Sequence, residues 1–193
     1  MTRHQGRRRT APLPFRFLNT RLNLERLEDR AVPAVIFFND PANPGKSIVQ
    51  FTEDVIGASD TLQLSASGGQ LQYQWNGAAA TTDLNSSQAG IQALSLSSIS
   101  RIDALLGNGN NTLGVDATTT SAVFPSPSGI VYSTGSGTDT LIVSQNADMT
   151  LTPTSLTTST GGVISFSSVE LAYLTGGNSN NTLDASAFNG NVT

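Results

Sequence analysis

The chain has no cysteine, a single histidine and charge on only 12% of its 193 residues. Without cysteine there are no disulfides and no thiolate metal sites, so a small fold must find its stability elsewhere. The one histidine, His4, lies in a basic N-terminal tail, so the rest of the chain has no histidine-dependent nucleophile or general base. Aromatics amount to 6%, and the longest apolar stretch, residues 31–38, is broken by Pro33 and falls far short of the ~20 residues that span a bilayer. Helix-forming residues in amphipathic register are also scarce. Their place is taken by β-branched residues, Ser, Thr and Asn, punctuated by 18 glycines.

These features point to an all-β chain with an unusual charge distribution. Residues 1–30 hold eight of the ten basic residues against three acids, whereas the remainder holds two basic residues against eleven acids. That is a basic tail on an acidic body. The tail carries Arg7, Arg8 and Arg9, then Pro12 and Pro14, but no apolar core of the length a conventional secretory signal requires. Nucleic-acid binding is disfavoured, because the arginines lack interleaved aromatics and a basic body behind them. A short amphipathic helix through Leu18, Leu22 and Leu24 or Leu27 is compatible with the pattern.

The stretch Leu24-Glu25-Arg26-Leu27-Glu28-Asp29-Arg30-Ala31-Val32-Pro33-Ala34 resembles the N-terminal "LExLEDRxxPA" segment of large extracellular proteins from planctomycete-type bacteria. The resemblance implies export to the cell surface or the medium. On this reading residues 1–36 form a disordered or short-helical targeting segment, residues 37–54 a linker with the first strands, and residues 55–193 a repeat region.

The repeat rests on four similar segments: Gly57-Ala58-Ser59-Asp60-Thr61-Leu62, Gly107-Asn108-Gly109-Asn110-Asn111-Thr112-Leu113, Gly135-Ser136-Gly137-Thr138-Asp139-Thr140-Leu141 and Gly176-Gly177-Asn178-Ser179-Asn180-Asn181-Thr182-Leu183. Each is a glycine turn followed by an Asx-Thr-Leu strand entry. The approaches Ser97–Leu105 and Ser167–Leu174 also run parallel in sequence. Strands are expected at 61–64, 71–75, 92–96, 130–132, 140–143, 150–151, 163–166 and 171–174, several alternating apolar and polar residues. No single short unit can bury its apolar face alone, so the pattern predicts a parallel β-solenoid (β-helix) of imperfect repeats, about six rungs if each takes roughly 20–25 residues. An antiparallel sandwich is the alternative, because the turns are unevenly spaced. The last residues begin a further rung, which suggests a truncated array able to associate end to end.

The turns resemble the RTX (hemolysin-type) nonapeptide, which implies Ca²⁺ held by Asp139, Gly135 and Gly137, with Asp60 and Asp184 as further ligands. Where the family has Asp, this chain has Asn111 and Asn181, which removes anionic ligands. The competing reading has Asn, Asp and Thr capping corners or forming hydrogen-bonded ladders between rungs, with no metal. The acids Asp103, Asp116, Asp139 and Glu170 show no pairing signature of a hydrolase, so no enzyme activity is expected. Tyr73 and Trp75 share a strand face and read as core rather than as a sugar platform. The resulting expectation is a secreted or cell-surface structural or adhesion-type repeat module with no cofactor, meeting a polysaccharide or another repeat protein. The alternative is a Ca²⁺-binding extracellular repeat domain that folds on calcium.

Overall fold

A computed structural model describes residues 34–53, 55–85 and 88–193. The targeting segment therefore lies outside the described residues up to residue 33. Its expected boundary at residue 36 falls inside the first strand, β1 (Ala34–Asn39).

Thirteen further strands follow: β2 (Ser47–Thr52), β3 (Thr61–Ser67), β4 (Gln70–Trp75), β5 (Ile99–Gly107), β6 (Thr112–Asp116), β7 (Ile130–Thr134), β8 (Thr140–Ser144), β9 (Met149–Leu151), β10 (Ser155–Thr158), β11 (Val163–Ser167), β12 (Leu171–Thr175), β13 (Leu183–Asp184) and β14 (Asn191–Val192). Two single-turn 3₁₀ segments, Leu96–Ser98 and Ser121–Val123, are the only helical elements among the described residues. The all-β reading of the composition holds.

The strands form two sheets. One has the order β1-β2-β5-β7-β11-β10-β9-β13 and the other β14-β12-β8-β6-β3-β4. The chain passes from the first sheet to the second at β2→β3, β5→β6, β7→β8, β11→β12 and β13→β14. Most of these passes lay a strand parallel to the one from the pass before.

Parallel registers align like residues into columns. In the first sheet Val49, Ile102, Ile130 and Ile164 stack, as do Phe51, Ala104, Tyr132 and Phe166. In the second sheet Leu62, Leu113, Leu141 and Ala172 stack beside Leu64, Val115, Val143 and Leu174. All of these side chains are buried. Each strand alone alternates buried and part-exposed residues, as in β8, so its apolar face is covered only when the opposite sheet closes over it.

Pairing is not parallel throughout, because hairpins interrupt the winding. β1–β2, β3–β4, β9–β10 and β10–β11 pair antiparallel, against eight parallel pairings. The β3–β4 hairpin turns at Gly68 and Gly69, both at positive φ, where a side chain would be strained. Beyond it the chain bonds back to β4 through Tyr73 and Thr81, each amide donating to the other's carbonyl at 2.9 Å, and through Leu71 N to Leu94 O at 3.2 Å. This covers the sheet edge with Leu84 and Leu96, both buried. The strand expected at 92–96 is instead part of this cover.

Tyr73 and Trp75 are core, as their alternation suggested. Phe51 meets Tyr73 edge-on at 5.0 Å and stacks on Trp75 at 6.3 Å. The similarity of Ser97–Leu105 to Ser167–Leu174 does not survive folding: Ile99–Gly107 lies in the first sheet and Leu171–Thr175 in the second. The first-sheet counterpart of β5 is β11, reached through β7.

Candidate functional site: a ladder of side chains through the stacked turns

The first three glycine turns lie on top of one another at the corner that feeds β3, β6 and β8. Thr61, Thr112 and Thr140 pair in register, so the preceding residues stack as well: Ser59 over Asn110 over Thr138, and Asp60 over Asn111 over Asp139. Glycine is required here for closeness as much as for torsion. A Cβ on Gly109 would overlap the carbonyl oxygen of Ala58, and one on Gly137 would overlap that of Gly109. Both glycines also sit at positive φ.

Bringing the backbones this close lets a side chain of one turn accept from a backbone amide of the turn above or below it. Asn111 Oδ1 accepts from Asp60 N at 3.0 Å, Asp139 Oδ1 from Asn111 N at 2.9 Å, and Glu170 Oε2 from Asp139 N at 2.8 Å. A flanking file repeats the device: Ser59 Oγ accepts from Asn110 N at 3.1 Å, and Asn110 Oδ1 from Thr138 N at 2.8 Å. Asn108 Oδ1 accepts from both the amide and the hydroxyl of Ser136 at 2.9 and 3.1 Å. Asn76 closes the upper end, accepting from Thr61 N at 2.7 Å while its Nδ2 donates to Asp60 Oδ1 at 2.8 Å. Backbone amides that would otherwise be orphaned at a corner are thereby satisfied.

Asp60, Asn111 and Asp139 are each fully buried, yet their chemistry differs. Asn111 uses both ends of its amide, with Nδ2 donating to Gly107 O at 3.1 Å and Gly109 O at 3.2 Å. Asp139 has no donor to offer, and its buried Oδ2 has no hydrogen-bond partner among the described residues. Burial therefore pushes the Asp139 carboxyl above its ordinary range. The hydrogen bond from the Asn111 amide and that of Thr134 pull it back in part, and the Glu170 carboxylate raises it further. Tyr132, buried against this corner with its hydroxyl donating to Thr140 O at 3.4 Å, has its phenol pushed up by burial and then by Asp139 and Glu170.

The fourth turn lies elsewhere. Gly176–Leu183 stacks on the corner around Asn146 and Asp148 and feeds β13 in the first sheet, where Leu183 pairs with Met149. Ser179 N and Asn181 Nδ2 donate to Asn146 Oδ1 at 3.1 and 3.2 Å, and Thr182 N donates to Asp148 Oδ1 at 2.7 Å. This corner is exposed at Asn146, Asp148 and Ser179. The stretch Asn146-Ala147-Asp148-Met149-Thr150-Leu151 has no glycine, and for that reason was missed as a turn. Its alternate Asx residues before Thr-Leu were the available signal.

Of the residues expected to hold Ca²⁺, Gly135, Gly137, Asp60 and Asp139 share one corner, with Asn111 between the two carboxylates. Asp184 is in the other sheet, exposed, its carboxylate accepting from Ser186 N at 3.0 Å, and this bond lowers its pKa. Among the described residues no three His, Cys, Asp or Glu side chains gather as a metal site. Comparison with protein-family models, curated proteins and solved structures finds no match.

The remaining acids are occupied singly. Asp103 accepts from Nε and Nη2 of Arg101 at 2.7 and 2.9 Å, and Asp116 Oδ1 accepts from the amide and hydroxyl of Thr118 at 3.0 and 2.6 Å. Only Asp139 and Glu170 are brought together, and an amide stands between them.

Proposed function

We propose that the chain is a non-catalytic surface module of solenoid type, whose role is to present a stable, extended, stacked scaffold outside the cell. The observation that carries this reading is the continuous ladder from Asp60 through Asn111 and Asp139 to Glu170, running beside apolar columns in both sheets. Such stacking couples each pass to its neighbours and builds length without a large globular core. The export-type segment at 24–34 supports an extracellular setting, and an acidic body with two basic residues suits contact with neutral polymers or other repeat proteins.

Protease accessibility on intact planctomycete-type cells tests the setting. A C-terminal epitope on the full chain is expected to be cleaved from outside, and deletion of residues 24–34 is expected to leave it protected. Protection of both would refute a surface role.

The buried Asp139 Oδ2 also supports the calcium reading, because a cation would supply the missing partner. Circular dichroism of the full chain in millimolar Ca²⁺ and in chelator decides between them. A β spectrum and melt independent of chelator supports the metal-free scaffold, whereas a coil that becomes β on adding Ca²⁺ supports the second reading.

A further inference from the structure

The corner after β8 buries a polar atom for which no described residue offers a partner. Gln145 is 2% exposed, and its Nε2 donates to Thr160 Oγ1 at 2.6 Å, while its buried Oε1 accepts nothing. An amide oxygen left in that state carries a desolvation penalty, which a donor reaching it through a small turn of the side chain would relieve.

Gln145 lines an open hollow of about 200 Å³, together with residues 118–121, Asn146 and Thr160. Thr118, Thr119, Ser121, Asn146 and Thr160 are exposed, so the walls are mostly hydroxyls and amides, with Ala117 adding a small apolar patch. Thr119 and Thr120 also border a neighbouring hollow of about 530 Å³, where Ala66, Leu96 and Ala122 add apolar surface. No charged side chain lines either one. Among the described residues the only basic side chains are Lys46 and Arg101, and Arg101 is engaged by Asp103. An anionic ligand would find no counter-charge here and would meet an acidic body.

The matching chemistry is small, uncharged and rich in hydroxyl groups. We propose that this hollow is a subsite for one unit of a neutral carbohydrate, one hydroxyl donating to Gln145 Oε1 and others exchanging hydrogen bonds with Thr119 and Ser121. The adjacent hollow across the Thr119–Thr120 ridge accommodates the next unit of a chain. The proposal rests on the surface-module reading, to which it gives a ligand class. No aromatic platform lines the site, so affinity for a single chain is expected on the order of millimolar.

The test is an amide-resolved NMR titration of the full chain with maltotetraose, cellotetraose, mannotetraose and a tetramer of N-acetylglucosamine, with an oligoglucuronate as the charged comparison. At least one neutral sugar is expected to give saturable shifts confined to residues 118–121, 145, 146 and 160. Gln145→Leu is expected to weaken that binding at least about tenfold. The exposed pair Thr119→Ala and Ser121→Ala, which leaves the core untouched, should weaken it several-fold and carries the test if Gln145→Leu fails to fold. Absence of saturable shifts with every neutral sugar, binding unchanged in the variants, or equal binding of oligoglucuronate would each overturn the proposal. Sugar binding by a chain that stays inside the cell would instead keep the subsite and remove the surface reading.

Discussion

Two corners of this molecule are built from nearly the same words. Gly107–Leu113 and Gly176–Leu183 both run through glycine and asparagine into Asn-Thr-Leu, and backbone amides of both donate to side-chain oxygens of an adjoining turn. The first lies between two similar turns, so Asn111 is wholly buried. The second has a single partner, and its asparagines and Leu183 stay largely in contact with water. The difference teaches that a turn motif specifies a local shape, whereas neighbours on both sides set its energetic weight. A hydrogen bond nets about 1 kcal/mol when water can replace it, and costs more to lose where water cannot reach.

The comparison can be broken most forcefully through the leucine that follows each turn. Leu141→Ala, in the fully buried column, is expected to destabilise the chain by about 3–4 kcal/mol, and Leu183→Ala by less than about 1 kcal/mol, measured by urea unfolding. Glycine comes next. Gly109→Ala meets a backbone carbonyl at positive φ and should cost about 2–3 kcal/mol. Gly176→Ala meets the Asn181 side chain, its Nδ2 at 3.1 Å and its Cβ at 3.3 Å, but no backbone, and should fall within about 1 kcal/mol of wild type in the same assay.

Removing the ladder itself gives a smaller but more specific effect. Asn111→Ala removes the acceptor that Asn111 offers the Asp60 amide, its donor to the carbonyl of Gly109 and one of two donors to that of Gly107, for an expected loss of about 2 kcal/mol. Asn181→Ala should lose about 0.5 kcal/mol. Hydrogen exchange sharpens the same contrast without mutation: the amides of Asn111 and Asp139 should exchange far more slowly than that of Ser179.

The subtlest expectation concerns Asp139. Its carboxyl is raised in the folded state, so the folded chain holds that proton more tightly than the unfolded chain does. The stability this confers is fully present below the unfolded pKa and is lost as pH rises through the folded one. Asp139→Asn supplies the donor that Asn111 already uses one rung above. It is expected to stabilise the chain by about 1 kcal/mol at neutral pH, an advantage that shrinks toward zero below the carboxylate range. Thermal melts of both proteins across pH read this directly. A destabilised Asp139→Asn at neutral pH would point instead to a cation on the carboxylate.

Much of the architecture was legible because stacked strands repeat their residues. Alternation in Leu71–Trp75 predicted a half-buried strand, and the Asx-Thr-Leu entries at 60–62, 111–113 and 139–141 marked the corner that carries the ladder. Leu84 and Leu96 were illegible as the cover of β4, since a capping segment has no period of its own. The similarity of Ser97–Leu105 to Ser167–Leu174 misled, because a Ser-Ser step followed by apolar residues leads into a strand of either sheet equally well. Gln145 gave no signal, as nothing local distinguishes a buried glutamine from a surface one.

The sequence by itself determined that this chain is β, that its turns are tight, and that its body is acidic and without cysteine. Those properties follow from backbone preference and side-chain chemistry within a few residues. Only the tertiary structure decided which turns stack, which strands reverse into hairpins, and which carboxylate loses its water. These depend on pairings between rungs 28, 31 and 51 residues apart. Insertions such as the β3–β4 and β9–β10 hairpins stretch those spacings unevenly, so no fixed period in the chain encodes them.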